Sequence, residues 1–544
     1  MIAKKFFCAI LLVLLVSSLY AEIDIYFSPD GGFAPVNNER RIQMMDGTTR
    51  LANLNDALLA MIDNIERGST FKMSMYSFDI LEIQEAMIRA ARDRGVKIKL
   101  LMDAIMGYTV AMRAPFYARI LEEHRLAKEE NREFDFQVRE MKPESMKDRG
   151  RFVKLPDGTE RVGTMHEKFG FIIPRGCKIP LHGFCGSANI TGLAGTMYAE
   201  NRVFFTDEPG MGRQLAEEFA RLWNEYGTNV TEVCQTEIFI PAPKNTAEVQ
   251  IISNAKPVDE EGFQRIDKHI LDMMEKVYRN GGDISIAMFS FTHKVLADKL
   301  IELAERHRNN NITIRLLVDL QQMDIGVQKD SQVPYLEKMI KLKRLNNFEI
   351  RYRWRSNVYT WDYGNTNTFA LLHWRDPLLH HKCMIVNKNR MSLGSYNWTW
   401  GGELRNFENV MLYNGTMRTH KAIIDRFLAE FDIIWNSMKP EGKPTKVYGK
   451  QDPQVVLAPH GIALKQKIEA AFYDPDCRAI MNLIDPYVPF KPAVPVKVER
   501  FVCTFDLLQE KTGLDPKVLK EKIEILEDAT LILLNEENAY VLAD

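Results

Sequence analysis

Two short constellations in this chain have the residue types and the spacing to handle a phosphate ester. The first is His-Glu-Lys at 166–168, followed by the apolar run FGFII and by Gly-Ser-Ala-Asn at 186–189. The second is His-His-Lys at 380–382, followed by CMIV and by Gly-Ser-Tyr-Asn at 394–397. AENRVFF at 199–205 and FENVMLY at 407–413 then put Glu200 and Glu408 at matching places. Residues two apart on a strand point to one face, so His166 projects with Lys168 and His380 with Lys382. One His-x-Lys is a weak signal. Two copies, each trailed by an apolar strand, GSxN and Glu-Asn, form a strong one.

If the two copies meet, the shared site holds two imidazoles, two ammoniums and the small polar groups of Ser187, Asn189, Ser395 and Asn397. That inventory suits a phosphodiester. Ammoniums stabilise the charge that grows on a pentacoordinate phosphorus. An imidazole, with an ordinary pKa near 6.5, can serve as nucleophile or as proton donor near neutral pH. Attack by one histidine gives a phosphohistidine, which water or another alcohol resolves. Glu200 and Glu408 are suited to orient the imidazoles. No carboxylate cluster with metal-ligand character stands out, so neither a metal nor a cofactor is expected.

The elements that must position these residues also occur twice. FKMSMYSF at 71–78 recurs as ISIAMFSF at 284–291, and VKIKLLMD at 96–103 as ITIRLLVD at 312–319. Each first run follows an amphipathic stretch, carried by Leu51, Leu54, Leu58, Ile62 and Ile65 and then by Ile266, Ile270, Met273, Met274 and Val277. The spacing predicts helices over 81–94 and 294–306. Phe219, Trp223 and Asn224 recur as Phe431, Trp435 and Asn436 inside helical patterns. Four blocks in one order at nearly one offset predict two homologous α/β domains with mostly parallel strands, near 22–235 and 236–438, with a seam at IPAPKNT. Asp103 and Asp319 at strand ends read as structural, and His182 as a loop residue.

These motifs resemble the phospholipase D superfamily, whose signature is HxK(x)4D followed by GSxN, normally twice per active site. The resemblance covers about 22–438, and IDIYFSPDGG resembles the start of the family's small bacterial nucleases and mitochondrial cardiolipin hydrolases. It implies two α/β-sandwich repeats packed about a pseudo-twofold axis. It also implies His166 as nucleophile, His380 as general acid, and Lys168, Lys382, Asn189 and Asn397 on the phosphate, with Ser187 and Ser395 beside them. The chain departs from the pattern at both aspartates, where it has Ile173 and Asn387. The first motif also has about six extra residues between HxK and GSxN, Cys177 among them.

Composition bounds the rest. The chain has 544 residues with 71 Lys and Arg against 73 Asp and Glu, which is globular and close to neutral. Bulk nucleic-acid binding through a basic surface is therefore disfavoured, although a local groove is not. Lys4 and Lys5, the apolar run 6–16 and Ser17, Ser18 and Ala21 describe a secretory signal peptide over 1–21, with an uncleaved membrane anchor as the alternative. Export follows as the expectation, to the periplasm or the medium in a bacterium. In an oxidising compartment Cys177 and Cys185 either form a local disulfide or stay as buried thiols.

Residues 439–498 are Pro-rich linker around a short helical patch. Residues 499–544 read as a small α+β module, winged-helix-like in outline, with helices at 505–512 and 515–528 and a hairpin at 531–543. The module carries five basic and eleven acidic residues, which favours protein contact or a structural role over DNA binding. Trp354, Tyr359, Trp361, Tyr363, Phe369 and Trp374 precede the second motif, near Arg351, Arg353 and Arg355. Such a segment suits a transient contact with a membrane surface, base stacking or core packing. The leading expectation is an exported phospholipid hydrolase. A secreted endonuclease and a noncatalytic binding or scaffold protein are the alternatives.

Overall fold

The computed structural model describes residues 22–28, 41–43, 49–51, 54–104, 107–154, 158–191, 194, 198–238, 249–254, 265–319, 322, 330–353, 360–361, 369–370 and 378–437. In the C-terminal region it describes 467, 470–471, 474–484, 503–528, 532–534 and 538–542. The signal-like segment 1–21, the seam at 240–246 and most of the aromatic stretch 354–374 lie outside the described residues. Among the described residues no helix is long and apolar enough to cross a membrane.

Each repeat builds one mixed sheet, and the two sheets share one strand order. In the first the order is Glu22–Ser28, Glu200–Thr206, His182–Gly186, Lys168–Ile173, Thr70–Met75, Lys97–Asp103, Phe136–Met141 and Gly227–Asn229. In the second it is Gln250–Ser253, Asn409–Asn414, Arg390–Gly394, Lys382–Val386, Asp283–Met288, Thr313–Asp319 and Phe348–Arg353. Only the strands around Lys97–Asp103 and Thr313–Asp319 run parallel; every other pairing is antiparallel. The expectation of mostly parallel strands is thus corrected. The motif strands follow one another directly, and a short connection can join only antiparallel neighbours.

The helices that cross between parallel strands fall where the apolar spacing puts them, at Leu81–Arg94 and Lys294–Arg306. The first ends at Gly95, whose left-handed backbone (φ 60°) lets its N–H reach the carbonyl of Ala90. Helices Pro209–Glu225 and Arg418–Ser437 carry the repeated aromatic pair, with Phe219 stacked on Trp223 and Phe431 on Trp435. Lys99 and Arg139 lie over the ring of Trp223, as Arg315 and Arg351 lie over that of Trp435. The repeated aromatic blocks therefore fasten equivalent helices onto equivalent sheets.

The repeats are joined by a reciprocal exchange of backbone. Met165, just before the first motif, bridges to Phe407 of the second repeat, and Ala199 of the first bridges to Leu379, just before the second motif. The His166 amide donates to the carbonyl of Phe407 at 3.0 Å, and the His380 amide to that of Ala199 at 2.9 Å. Each histidine is thus pinned by the other repeat.

One local expectation changes, and one left open is decided. His182 is the first residue of the strand His182–Gly186, paired with Ile172, because the extra residues of the first motif are taken up by the preceding turn. Cys177 and Cys185 are not joined. Cys177 is exposed on that turn, whereas Cys185 is buried on the strand with Sγ 3.4 Å from Oδ1 of Asn409.

Residues 437–544 fall mainly in a second compact unit. Helices Pro475–Ile484, Phe505–Thr512 and Pro516–Asp528 share a core that includes Cys477, Ile480, Leu508, Leu519 and Ile523. Strands Ile532–Leu534 and Tyr540–Leu542 pair as a hairpin. Thr504 caps the second of these helices and Gly513, at φ 68°, ends it.

Candidate active site

The site forms where the two motif strands begin. His166 and His380 lie with ring centroids 6.5 Å apart, each only 8% exposed. Each imidazole is held by a carboxylate from the opposite repeat. Nδ1 of His166 is 2.9 Å from Oε2 of Glu408, and Nδ1 of His380 is 2.6 Å from Oε1 of Glu200. Fixing Nδ1 in this way leaves each Nε2 to meet a substrate.

The serines of GSxN hold the carboxylates. Ser187 Oγ donates to Glu200 at 2.7 Å and Ser395 Oγ to Glu408 at 2.6 Å. The same hydroxyls accept the amides of Asn201 and Asn409, at 3.0 and 3.1 Å. The two glycines are needed for this approach. A Cβ at Gly186 would stand 2.5 Å from the carbonyl oxygen of Asn201, and one at Gly394 2.3 Å from that of Asn409.

Lys168 and Lys382 are buried, and each ammonium donates to the backbone carbonyl of its own histidine, that of Lys382 at 2.7 Å. Tyr76 and Phe289, equivalent residues of the repeated block, flank the pairs. Tyr76 lies 4.9 Å from the His166 ring and Phe289 4.7 Å from the His380 ring, with Lys168 and Lys382 over the respective aromatic rings. Asn189 and Asn397 end the GSxN turns half-buried, and the Oδ1 atom of each has no hydrogen-bond partner among the described residues.

Electrostatics separates the two half-sites. Burial pushes the Glu200 carboxyl up to about 8, against the pull of Lys382. Burial lowers His166 to about 4, against Glu408, and drives His380 well below its ordinary value with help from Lys382 and Lys168. Burial also lowers Lys168 to about 8 and Lys382 to about 7. The free site thus resists excess positive charge and is poised to take up an anion.

Two residues read as structural hold the backbone just before the motif histidines. Asp103 Oδ2 accepts the amide of Met165 at 2.7 Å, and Asp319 Oδ2 accepts that of Leu379 at 2.8 Å, so each strand-end aspartate holds the residue before a motif histidine. The signal was present in the repeated strand ends LLMD and LLVD. Asn254 also supports the site, since its Oδ1 accepts the Glu408 amide at 2.8 Å. Nothing in the repeat pointed to it. The replaced aspartate positions are remote. Ile173 ends its strand opposite Thr70, about 17 Å along from Lys168. Asn387 sits in the following turn at φ 54°, tied to the Lys276 carbonyl and the Tyr278 amide.

Among the described residues no group of three or more His, Cys, Asp and Glu is placed to hold a metal ion. The arrangement sets two imidazoles, each bonded to a carboxylate, and two lysine side chains around a single small volume.

Comparisons with known proteins place this geometry. Residues 58–223 and 279–435 match the family model described as cardiolipin synthase, PLD-like domain. Over 91 residues the chain is 34% identical to the mitochondrial cardiolipin hydrolase of Homo sapiens, a match to 16% of this chain and about a third, 34%, of the relative's length. Among solved structures it is similar to a phosphatidylserine synthase from Haemophilus influenzae Rd KW20, at 12% identity and a TM-score of 0.48, over 80% of this chain and 96% of that one. It is also similar to Nuc, a phospholipase D family member from Salmonella typhimurium, at 20% identity and a TM-score of 0.25, over 39% of this chain and 100% of that one. The two matched segments together exceed half of the chain and each holds the motif strands of one sheet, so the chain belongs to the cardiolipin synthase, PLD-like domain family and carries two such domains.

Proposed function

We propose that this chain is an exported phosphodiesterase of phospholipase D type that hydrolyses a phospholipid through a phosphohistidine. The observation that carries the reading is the crossed pair of contacts, His166 with Glu408 and His380 with Glu200, at 2.9 and 2.6 Å. Neither repeat alone holds both an imidazole and its carboxylate, so the site is a product of the duplication.

The two pairs take different roles. A proton held by Glu200 and donated to Nδ1 of His380 leaves N–H on Nε2, facing substrate as an acid. His166, donating from Nδ1 to Glu408, keeps a lone pair on Nε2. That nitrogen attacks phosphorus and forms the N–P bond while the P–O bond to the leaving alcohol breaks. His380 gives its Nε2 proton to the departing oxygen and receives the proton of Glu200 at Nδ1. Water then attacks the phosphohistidine and returns a proton to Nε2 of His380, the Nδ1 proton of His380 goes back to Glu200, and the N–P electrons go back to His166. Lys168 and Lys382 balance the charge on the nonbridging oxygens. The family resemblance assigns Asn189 and Asn397, through their amide N–H groups, to the same oxygens.

The lipid part of the reading is supported by the family's description and by the name of the human relative. Export rests on the pattern of residues 1–21. The test is purified protein in EDTA, offered fluorescent phosphatidylcholine, cardiolipin and single- and double-stranded DNA, beside His166→Ala and His380→Ala. Lipid cleavage lost in both variants supports the proposal. DNA cleavage lost in both makes the chain a nuclease, and activity equal to the variants on every substrate makes it noncatalytic.

A further inference from the structure

A second cleft, of about 280 Å³, opens at the far end of the first sheet from the histidines. Its charged lining is Lys72, Lys178, Arg213 and Glu237. Glu237 is already committed: it pairs with Lys72, and with Lys99 at 2.6 Å, on a side chain 6% exposed. Arg213 and Lys178 make no ion pair among the described residues, and Nε of Arg213 is buried without a hydrogen-bond partner. The lining therefore carries three cations against one anion that they do not share equally. Lys178 is exposed at the mouth and Arg213 half-buried, so the cost an entering anion relieves is that of the half-buried guanidinium with its unpartnered Nε.

The remaining walls are apolar. Ile173, Ile179 and Pro180 line the same space, and Ile238, 91% exposed, stands at its rim. Ile173 stands where the superfamily signature has aspartate. A carboxylate there would offset the excess cations from inside the cleft, and isoleucine instead leaves them unbalanced and adds a greasy surface. Lys72, lowered from its ordinary value by burial despite Glu237, gains in turn from a further anion.

We infer that this cleft binds an anionic amphiphile, a phosphate headgroup held by Arg213, Lys178 and Lys72 with its first carbons against Ile173 and Ile238. The site is separate from the histidines, and the inference does not depend on what they catalyse. Inorganic phosphate would meet the cations but leave the apolar wall bare.

The test is calorimetric titration of the full-length chain carrying Lys168→Ala and Lys382→Ala, which removes the cations of the histidine site. The probes are dihexanoyl phosphatidate and inorganic phosphate. Saturable phosphatidate binding at least tenfold tighter than phosphate is expected, weakened at least tenfold by Ile173→Asp and by Arg213→Gln. Thermal melts show whether each variant is folded, and Arg213→Gln, half-exposed on a helix, keeps the test open if Ile173→Asp is not. No saturable binding, equal affinity for the two probes, or affinity unchanged in the folded variants overturns the inference.

Discussion

Glu200 belongs to the first repeat, yet its carboxyl lies 2.6 Å from Nδ1 of His380 in the second. Its counterpart, Glu408, makes the mirror contact to His166. Because burial raises Glu200 to about 8, it holds a proton at neutral pH and sets the tautomer of His380. Glu200→Gln is expected to lower kcat by about a hundredfold, in the range of general acid–base contributions, with little change in KM. Steady-state kinetics decide this. An unchanged kcat would remove Glu200 from the proton path.

The pH profile follows from the same groups. Protonation of His166 at about 4 removes the nucleophilic lone pair, so kcat/KM falls as pH drops through that value. Loss of the Glu200 proton at about 8 removes the acid, and deprotonation of Lys382 and Lys168 at about 7 and 8 removes the charge on the phosphate site. The profile is expected to be flat from about 5 to 7 and to fall above it. Glu200→Gln should leave the acid limb in place, since His166 does not rely on that carboxyl.

Asp103→Ala and Asp319→Ala each strip the acceptor from a buried amide one residue before a motif histidine. An unsatisfied buried amide costs about 1–3 kcal/mol, so each variant should melt at lower temperature and lose activity through misplacement of the imidazole. The separating measurement is phosphohistidine trapping with a substrate whose leaving group is acidic enough to need no proton: Asp103→Ala should still slow its formation, Asp319→Ala should leave it nearly unchanged, and His166 should be the residue labelled in both.

Asn387→Asp restores the superfamily residue, but at a turn whose side chain ties Lys276 and Tyr278 rather than the imidazoles. It is expected to change kcat/KM by less than twofold. A tenfold gain in activity would show that the position reaches the site after all.

The strand and helix blocks were legible because a duplicated fold writes its core twice. Within the runs at 96–103 and 312–319, Leu100–Met102 and Leu316–Val318 are buried on both faces, so both faces stay apolar there, and the flanking helices repeat the same stripe. The pairing of His166 with Glu408 was not legible. Sequence puts Glu200 nearer to His166 and Glu408 nearer to His380, and only the exchange of backbone at Met165 with Phe407 and Ala199 with Leu379 crosses the partners. The antiparallel half of each sheet was missed for a related reason: apolar runs show burial but not direction.

The neighbours of the histidines, Glu167 and His381, face the opposite side of their sheets and break the symmetry. His381 Nε2 lies 3.6 Å from Glu430, whereas Glu167 is paired with another acid, Glu218, and accepts from Ser253 Oγ at 3.2 Å. Burial raises both carboxyls of the first pair, Glu167 further by the charge of Glu218. A carboxyl whose folded pKa is raised contributes stability that is fully present below its unfolded value, near 4.5, and is lost as pH rises through the folded value. The contribution of this pair to stability is therefore expected to fall with rising pH above about 4.5, by up to about 1.4 kcal/mol per pH unit for each proton retained on folding. Glu218→Gln removes one of the two acids and gives Glu167 a donor in its place. Denaturation of this variant, followed from pH 5 to 9, should show a shallower loss than the unmodified chain. Parallel curves would mean that the pair does not retain protons on folding.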